Sequence, residues 1–509
     1  MTQSPEESSE STSGPKANPL LAGLFLPTTS EEIVRAIARD PFRDPTWCAR
    51  NRDPALLHEY LLMVVIPTTT TIRIAKSLYA AIRRGLFLRD PSNWAMRQGF
   101  YSNTSSFEIT SMGVAVDGQV LLGETGKSKS YSIKAALRAL PLVLKRGPIP
   151  SLGLEHVEQI VYLYIEMTSI IAMEGLLTRI LYGIDSTLRK NGELARATRS
   201  GCRSIEALME AVLRLMKTHL VGILVIDEIQ AANFGLGSKD ARRLRNFLLS
   251  LLNSGIPVYF SGNPLAVRFE EHRVEGKRGK ANGDKAEGAK ISAQLQRRLL
   301  GDHPLRLDVP LNAAGEDLKT LLRGLGRCTL LPERTEITQP MIVLVYNLTA
   351  GIEDFVVALW EEAQRRALKA NDKKIDEECL RAAAKQCAKL KKFERMIRGF
   401  VNRNADLLSE YTDIDISYYK RRWFNDAVTE NTDQTQNGAS APAAAVTGVV
   451  TTYNIASGAD PQAVAGGIKR TLEAANTRQK ERNAQDNDQL ESLKRHHVRE
   501  LRAMLEKQD

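Results

Sequence analysis

The sequence of 509 residues is poor in cysteine, aromatic residues and long apolar runs. Its five cysteines are odd in number and far apart, and no two have the Cys-x-x-Cys spacing of a metal or redox site. The seven histidines add no metal-ligand pattern. A reducing compartment is therefore expected, and Cys379 and Cys387 are predicted to pack between helices rather than to bind a metal.

Export and membrane signals are also missing. The best apolar stretches, Leu61–Ile66 and Leu220–Ile226, are far shorter than the roughly 20 residues that span a bilayer. Residues 1–18 are acidic and serine-rich, without the basic start and apolar centre of a signal peptide. We expect a cytoplasmic protein with no membrane partner, and a disordered tail over residues 1–18.

The sequence does contain a moderate excess of positive charge. It has 70 Lys and Arg against 60 Asp and Glu, which gives a formal net charge of +10. This surplus suits a nucleic-acid partner but indicates one only weakly, because many basic proteins bind none. The length allows about two to four domains of ordinary size.

Composition and apolar spacing divide the rest of the chain into six segments. In the middle, short apolar runs alternate with longer amphipathic ones, which is typical of a parallel sheet covered by helices. The following residues have helical spacing and then low apolar content. In chain order, the predicted segments are an N-terminal helical extension (19–100), an α/β domain (101–311), a helical domain (312–390), a helical C-terminal extension (391–428), a flexible linker (429–474) and a charged C-terminal helix (475–509).

Individual strands and helices follow from the same spacing. The predicted strands are Gln119–Leu122, Ile160–Glu166, Leu220–Ile226, Pro257–Ser261 and Leu305–Val309. The predicted helices are Ile72–Gly85, Ser130–Leu140, Ile205–Lys217, Asp240–Leu252, Glu353–Ala370 and Asp376–Leu390, with further helix over Lys391–Phe424.

A glycine-rich loop, Gly123-Glu-Thr-Gly-Lys-Ser-Lys-Ser130, follows the first predicted strand. A phosphate-binding loop has glycine, four residues, and then Gly-Lys-Ser/Thr. Its glycines let backbone N–H groups surround the phosphates, its lysine supplies charge and its hydroxyl ligates Mg²⁺. One register uses Gly126, Lys127 and Ser128, but it needs a glycine where Leu121 stands inside the strand.

The second register begins at Gly123, ends at Lys129 and Ser130, and puts Ser128 where the last glycine belongs. It is favoured because Ser130 then opens the helix whose N-terminus faces the phosphates. The Cβ of Ser128 lies on a loop that must approach nucleotide closely, which predicts weaker binding or slower turnover. The residues predicted to bind ATP are Gly123, Glu124, Thr125, Gly126, Lys127, Ser128, Lys129 and Ser130.

A second motif, Leu224-Val-Ile-Asp-Glu228, is a predicted buried strand that ends in two acids, the Walker B arrangement. Asp227 is predicted to hold Mg²⁺ through water, with Ser130 as the other metal ligand, and Glu228 to polarise the attacking water. For the glycine-rich loop by itself, the alternative is a chance occurrence of Gly, Ser and Lys in a loop. The two motifs together, in this order and each on a predicted strand, predict a P-loop ATPase that uses ATP and Mg²⁺.

An α/β domain with these motifs followed by a small helical domain resembles the AAA+ arrangement. The predicted fold class is a P-loop AAA+ α/β domain, a parallel sheet covered by helices, followed by a helical lid, with helical N- and C-terminal extensions. Asn263 then falls at the sensor-1 position and is predicted to orient the lytic water, the alternative being a turn-forming asparagine before Pro264. Arg297 and Arg298 precede the last strand and are arginine-finger candidates, the alternative being an exposed helix end.

The wider pattern resembles the TnsC/TniB family of AAA+ regulators of DNA transposition, and the TnsC branch most closely. The resemblance spans about residues 40–410. It is carried by Ile72–Pro91, Glu155–Leu163, Leu220–Gln230, Gly255–Pro264 and Gly351–Val357. Two departures matter: Ser128 replaces the usual glycine, and Gly351-Ile-Glu-Asp354 offers no sensor-2 arginine.

The TnsC resemblance implies a homo-oligomeric ring or filament that assembles on double-stranded DNA with ATP. It further implies that the protein receives a signal from a target-selection protein of the TniQ/TnsD type and recruits and activates transposase subunits. Candidate DNA-contacting stretches are His272–Lys290, Lys391–Arg398 and Lys420–Arg422 with the adjacent Trp423 and Phe424, although a solvated face is an equal expectation for any single residue. The aromatic residues of the last stretch are equally suited to docking a partner.

Two other functions remain open. The chain is alternatively an ATP-binding scaffold that hydrolyses little because of Ser128, although the intact Asp227 and Glu228 argue against a dead site. It is otherwise a different DNA-linked AAA+ ATPase, of the clamp-loader or repair kind, if the TnsC-like segments are coincidental.

Overall fold

A computed structural model describes residues 18–91, 116–150, 153–167, 173–229, 239–264, 297–299, 301 and 304–425. All of these residues belong to one compact unit, residues 1–433. Several predictions fall outside the described residues. They are the tail over residues 1–17, Gln230, the basic loop His272–Lys290, the linker over residues 429–474 and the charged helix over residues 475–509.

Five of the described strands form one parallel sheet, in the spatial order β4-β5-β6-β1-β7. The other two pair as an antiparallel hairpin of β2 with β3. The strands are β1 (Gln119–Gly123), β2 (Val143–Arg146), β3 (Val157–Ile160), β4 (Leu163–Glu166), β5 (Leu224–Asp227), β6 (Val258–Gly262) and β7 (Leu305–Leu307).

Two strand predictions are partly wrong. The run Ile160–Glu166 was expected to be one strand, but β3 ends at Ile160 and β4 begins at Leu163, because the two belong to different sheets. Its unbroken apolar and aromatic composition gives no signal of that break. The strand expected at Leu220 begins only at Leu224, since Leu220 has a left-handed backbone with φ 50°. Pairing with β4 starts at that same residue.

The helices flank the sheet and then continue without strands to residue 425. In the sheet region and before it they are α1 (Ser30–Ile37), α2 (Pro45–Arg50), α3 (Leu57–Leu62), α4 (Thr69–Leu88), α5 (Lys129–Arg138), α6 (Met173–Thr187), α7 (Glu193–Gly201), α8 (Ile205–Thr218) and α9 (Lys239–Asn253). After the sheet they are α10 (Glu316–Leu325), α11 (Gln339–Thr349), α12 (Glu353–Ala370), α13 (Glu377–Gln386), α14 (Ala388–Lys392), α15 (Glu394–Val401), α16 (Ala405–Leu408) and α17 (416–425).

The helical prediction is confirmed for α12 and wrong for the two stretches that follow it. Asp376–Leu390 is two helices, because Cys387 has an extended backbone (ψ 109°) between them. Lys391–Phe424 is not continuous either, and holds the end of α14 followed by α15, α16 and α17. Cys379 and Cys387 are buried in the helical core, as predicted.

Alternate residues along each strand face opposite sides of the sheet, and each side has its own apolar core. On one side Val120, Leu224 and Phe260 pack against α6, α8 and α9. On the other side Leu121 and Val225 pack against α1, α4 and α5. The predicted class, a parallel sheet covered by helices with helical regions before and after it, is confirmed.

The N-terminal extension is divided between two cores. Helix α4 packs on the sheet, and Thr68 caps its first turn by accepting a hydrogen bond from the backbone N–H of Thr71 at 3.2 Å. Phe42, Leu57 and Val64 instead share one core with α10 to α17. The short segment between Val64 and Thr68 therefore connects the sheet to the helical region.

Within the described residues, no single helix has the length and apolar character needed to cross a membrane. Helices α11 and α12 meet that test only when joined, and they are bent by 114° at their break.

Candidate active site

A cavity of about 430 Å³ lies at the carboxyl-terminal edge of the parallel sheet. The carboxyl ends of parallel strands share one edge, so the segments that follow β1, β5 and β6 meet there. Predicted site residues line the cavity from all three segments. They are Thr125, Gly126, Lys127, Ser128, Lys129, Ser130, Glu228 and Asn263.

Six apolar side chains from two distant parts of the chain also line the cavity. Leu61, Val64 and Ile66 come from the N-terminal extension. Leu321, Leu325 and Val357 come from α10 and α12. We call these six side chains the aliphatic wall, and the loop residues Thr125–Ser130 supply much of the polar lining.

Ser128 ends the glycine-rich loop in a left-handed conformation, with φ 53° and ψ 27°. Its Cβ makes that conformation unfavourable, and glycine is the residue that adopts it freely. Gly126 is also left-handed, with φ 84°, and a Cβ there would lie 2.9 Å from Ile352 Cγ2. Helix α5 begins at the next residue after Ser128, so the loop turns directly into the helix N-terminus.

Lys129 is buried under the loop. Its Nζ donates hydrogen bonds to the carbonyl oxygens of Gly123 at 2.8 Å and Glu124 at 3.1 Å. Burial lowers the pKa of Lys129, and the nearby carboxylates of Glu228 and Asp227 oppose that shift. The ammonium and the two Walker B acids thus lie within electrostatic reach of one another.

Asp227 is fully buried at the end of β5. Its Oδ2 accepts a hydrogen bond from the Tyr164 hydroxyl at 2.5 Å, and its Oδ1 accepts one from the backbone N–H of Glu228 at 3.0 Å. Burial, and then the hydrogen bond and charge of Asp227, raise the pKa of Tyr164. Tyr164 could not be recognised from the sequence, because a tyrosine inside an apolar strand belongs to no motif.

Ser130 and Asp227 offer oxygen ligands of the kind that Mg²⁺ prefers. Ser130 lies near enough to the Tyr164 hydroxyl to oppose the rise of its pKa, so Ser130 and Asp227 both lie next to one hydroxyl group. Among the described residues no group of three or more His, Cys, Asp or Glu side chains is arranged to hold a metal. Mg²⁺ at nucleotide sites typically uses one or two side chains with phosphates and water, so this pair fits it.

Lys127 points to the helical region. Its Nζ lies 2.6 Å from Glu353 Oε1, and its side chain is only 5% exposed. The backbone N–H of Asp354 donates to the carbonyl oxygen of Gly126 at 3.1 Å. Gly351–Asp354, the segment that offers no sensor-2 arginine, therefore brings the acidic residues Glu353 and Asp354 against the glycine-rich loop.

The C-terminal extension also reaches the loop. Thr125 Oγ1 donates a hydrogen bond to Asp413 Oδ2 at 2.7 Å. Arg306 of β7 stacks on the Tyr418 ring at 3.4 Å and lies 3.7 Å from Glu124 Oε1. Tyr419 is fully buried, and its hydroxyl accepts the backbone N–H of Val309 at 3.2 Å.

This packing corrects part of the expectation that Lys420–Arg422, Trp423 and Phe424 together bind DNA or dock a partner. Tyr419 and Trp423 are core residues, and Arg422 donates to the Val309 carbonyl oxygen at 2.7 Å. Phe424 is 70% exposed. The aromatic spacing reflects a helix packed on the end of the sheet.

Glu124, the residue that follows the first loop glycine, is 1% exposed. Neither of its carboxylate oxygens has a hydrogen-bond partner within the described residues. Burial raises its pKa to about 7, although the Arg306 guanidinium and the Tyr419 hydroxyl oppose the shift. The loop therefore contains a carboxyl group that titrates near neutral pH.

Asn263 follows β6 and faces the cavity, as does Glu228, which has a left-handed backbone with φ 59°. Arg297 and Arg298 lie elsewhere. The Arg298 carbonyl oxygen accepts the N–H of Gly118, just before β1, so both arginines lie at the amino-terminal edge of the sheet. That edge is about 15 Å from the loop along a five-residue strand, so neither arginine reaches the cavity of its own chain.

Comparison with known proteins adds one family. The sequence profile of the AAA domain matches residues 119–268, which run from β1 past β6. Combined with the parallel sheet and the glycine-rich loop after β1, this match settles the fold. It is that of a P-loop AAA+ domain. No curated protein matches the sequence.

Two solved structures of similar fold are distant. The ORC2 protein of Aeropyrum pernix, described as ADPNP-ADP complexes, has a TM-score of 0.33 and 13% identity, covering 54% of this chain and 62% of that one. A Walker-type ATPase of Pyrococcus abyssi has a TM-score of 0.34 and 15% identity, covering 57% of this chain and 73% of that one. The chain thus spans less than two thirds of the Aeropyrum protein. Likenesses this distant carry no argument about ligands or partners.

Proposed function

We propose that this chain binds ATP with Mg²⁺, hydrolyses it, and uses the cycle to assemble on duplex DNA and regulate transposition. The observation that carries the ATPase part is the convergence of Lys129, Ser130, Glu228 and Asn263 on one cavity, beside the buried Asp227. The DNA and transposition parts rest on the TnsC resemblance of the sequence.

In this proposal each residue has a separate task. The Lys129 ammonium and the N–H groups at the start of α5 would offset the phosphate charge, and Ser130 and Asp227 would hold Mg²⁺. The bound metal would offset the charge that develops on the β- and γ-phosphate oxygens. Glu228 accepts a proton from the attacking water, and Asn263 orients that water by hydrogen bonding.

The aliphatic wall supplies a place for the base. Val64 and Ile66 on one side and Leu321, Leu325 and Val357 on the other are apolar side chains of the kind that line nucleotide-base pockets. Because Val64 and Leu321 belong to one core, base binding would fix the N-terminal extension against the lid. Nucleotide would in this way stabilise one arrangement of the two.

We also propose that a second copy of the chain completes the site. Arg297 and Arg298 are too far from their own cavity to contact its γ-phosphate. A neighbouring subunit would meet them at the amino-terminal edge of the sheet. An arginine supplied across an interface is worth roughly 10³–10⁵ in turnover in nucleotide switches of this kind.

DNA would be bound through phosphates, with little sequence preference and strong salt dependence. Lys391 and Lys392 are exposed at the end of α14, whereas Arg395 and Arg398 form ion pairs with Glu410 and Glu394, respectively. A second exposed basic group lies at the connection between α6 and α7 and on α7 itself. It consists of Arg189, Lys190 and Arg196.

A second candidate function is a nucleotide-binding scaffold with little hydrolysis. It is favoured by the left-handed Ser128, whose Cβ stands on the loop that faces the phosphates. Both candidates bind nucleotide and assemble, so only turnover separates them.

Phosphate release with and without duplex DNA tests the ATPase proposal. We expect DNA-stimulated release that Glu228→Gln lowers at least about 100-fold, because the proton acceptor is removed while nucleotide binding and assembly on DNA are retained. Assembly is followed by electron microscopy of the same samples. Nucleotide binding without any phosphate release, with DNA or without it, would support the scaffold function and rule out the active switch.

DNA binding is tested by replacing two exposed cations at a time. We expect Lys391→Ala/Lys392→Ala or Arg189→Ala/Lys190→Ala to weaken duplex binding equally across sequences. The slope of log affinity against log salt concentration should become shallower by about one unit for each phosphate that the variant no longer neutralises. If neither pair changes the salt dependence, neither surface binds DNA. The transposition part is tested by measuring whether the ATP-bound protein stimulates a transposase that is encoded in the same genetic neighbourhood.

A further inference from the structure

We infer that Tyr164 is a positioning residue that holds Asp227 in the orientation needed for Mg²⁺. The inference rests on the proposed function, because it concerns the metal that accompanies ATP. It assigns a role to a side chain that belongs neither to the cavity lining nor to any sequence motif.

The register of two neighbouring strands places Tyr164 beside Asp227. Strands β4 and β5 are parallel, with Tyr164 opposite Val225 and Glu166 opposite Asp227. Alternate residues face the same side, so Tyr164, Val225 and Asp227 all face α5. Helix α5 carries Ser130 in its first turn. The tyrosine hydroxyl thus lies on the one face of the sheet where both proposed metal ligands are found.

Two donors fix the Asp227 carboxylate. The Tyr164 hydroxyl donates to Oδ2 at 2.5 Å, and the Glu228 N–H donates to Oδ1 at 3.0 Å. A carboxylate has about four lone-pair positions, so roughly two remain for water in a metal shell. With one donor on each oxygen, rotation of the carboxylate is restricted. A carboxylate that is already oriented loses less freedom when the metal shell forms.

The tyrosine ring is itself held from the helix side. Lys134, one turn after Ser130 on α5, has its Nζ 5.1 Å from the centroid of the Tyr164 ring. The same Nζ lies 3.1 Å from Glu166 Oε2, so the lysine is anchored at the end of β4. The chain from Lys134 through Tyr164 to Asp227 connects α5, β4 and β5 outside the cavity lining.

The consequence is specific to the metal. Removing the hydroxyl leaves the buried carboxylate with a single donor from the described residues and with freedom to rotate. Loss of a group that orients a metal ligand typically costs roughly 10- to 100-fold in metal affinity. The Mg²⁺ concentration needed for half-maximal nucleotide binding should therefore rise, whereas metal-free nucleotide binding should not change.

The test is Tyr164→Phe in the full chain, which keeps the ring and its packing. Binding of a fluorescent ATP analogue is measured as Mg²⁺ is titrated, and again in EDTA. We expect the Mg²⁺ midpoint to rise at least about tenfold, with the EDTA affinity within about twofold of the wild type. Tyr162→Phe is the matched control, because Tyr162 lies two residues earlier, between β3 and β4. The Mg²⁺ midpoint of this variant should match that of the wild type.

The outcomes separate this inference from the proposed function. If the wild-type chain binds no nucleotide at any Mg²⁺ concentration, the proposed function fails. If the wild type binds with a clear Mg²⁺ midpoint and Tyr164→Phe shares it, only the role of Tyr164 fails. An equal loss of affinity with Mg²⁺ and in EDTA would show that the hydroxyl merely supports packing, and would also overturn the inference. Thermal unfolding of the nucleotide-free variant checks that it is folded.

Discussion

The two halves of the phosphate loop are held by different parts of the chain. We call residues 128–130 the front half and residues 124–127 the back half. The front half contacts its own domain, since Lys129 bonds the loop carbonyl oxygens and lies close to Asp227 and Glu228. Two side chains of the back half are held from outside the sheet, Lys127 by Glu353 and Thr125 by Asp413.

This difference separates chemistry from coupling. The front half contains the residue types that phosphates and a metal require, and its partners lie on adjacent strands. The back half is attached to segments 226 and 288 residues away along the chain. Movement of the lid or of the segment between α16 and α17 would therefore reach the loop through its back half. By thermodynamic reciprocity, nucleotide binding would then affect both segments.

The sharpest test of the comparison is to remove each lysine in turn. We expect Lys129→Ala to weaken ATP binding by about 100-fold, or about 3 kcal/mol, because the phosphates lose their charge-assisted partner. Lys127→Ala is the matched control and should weaken binding by less than about tenfold, since its ammonium is engaged by Glu353 at 2.6 Å. Calorimetry measures both affinities. Equal losses would show that the two halves share the phosphate charge.

Glu124 makes the stability of the back half pH-dependent. Its pKa is about 7 in the folded chain against 4.5 for the unfolded group, so the folded state binds the extra proton between these values. Stability from this group is therefore full below pH 4.5 and is lost as pH rises to about 7. Lys129, Arg306, Asp308 and Tyr419 are the charged and titratable groups that face it.

Glu124→Gln should remove that loss. At about pH 8 we expect the variant to be more stable than the wild type by about 2 kcal/mol, and the difference should vanish near about pH 5. Thermal unfolding at both pH values gives the comparison, and other titrating groups cancel between the two proteins. A pH-independent difference would place the carboxyl pKa near its ordinary value.

Arg306 joins the loop to the C-terminal extension. Its guanidinium lies 3.7 Å from Glu124, 3.0 Å from Asp308 and 3.8 Å from Asp415. We expect Arg306→Met to lower the free energy of unfolding by about 2 kcal/mol, because two buried carboxylates and one half-buried carboxylate lose their counter-ion. The thermal midpoint measures the loss.

An exposed arginine in the helical region provides the control for that variant. Arg323 is exposed on α10, and Arg323→Met should change stability by no more than about 0.5 kcal/mol. If the two variants are equally stable, Arg306 does not hold the C-terminal extension to the loop.

The smallest effect is expected at Ser128 in the front half. A left-handed serine costs roughly 1–2 kcal/mol. Glycine avoids that cost, but part of the gain is lost because glycine has more conformational freedom in the unfolded chain. Ser128→Gly should therefore stabilise the chain by at most about 1 kcal/mol and raise the rate of ATP turnover. Asn191→Gly, at an exposed left-handed residue between α6 and α7, should leave turnover unchanged. Faster turnover in both variants would show that the left-handed conformation of Ser128 does not limit the rate of ATP turnover.

The sequence alone was sufficient for the parallel sheet, most of its helices and the set of residues that meet at its carboxyl-terminal edge. Short apolar runs alternating with amphipathic ones predict strands and helices from local spacing, and β1, β6 and α12 follow that prediction closely. Polar residues after strands of a parallel sheet must meet at one edge, so Lys129 and Glu228 were brought together correctly. The roles of these residues stay predictions until the variants above are measured.

Only the tertiary structure decided which distant residues complete the site. Tyr164 reaches Asp227 through strand register, and Asp413 and Glu353 reach the loop through packing of the helical region. Local spacing also failed where a run changed partners, as at the break between β3 and β4. The reason is physical: hydrophobic periodicity reports which face of an element is buried, but not which remote segment buries it. A glycine-rich loop can be recognised in the sequence, whereas the groups that hold it in place are determined only when the whole chain packs.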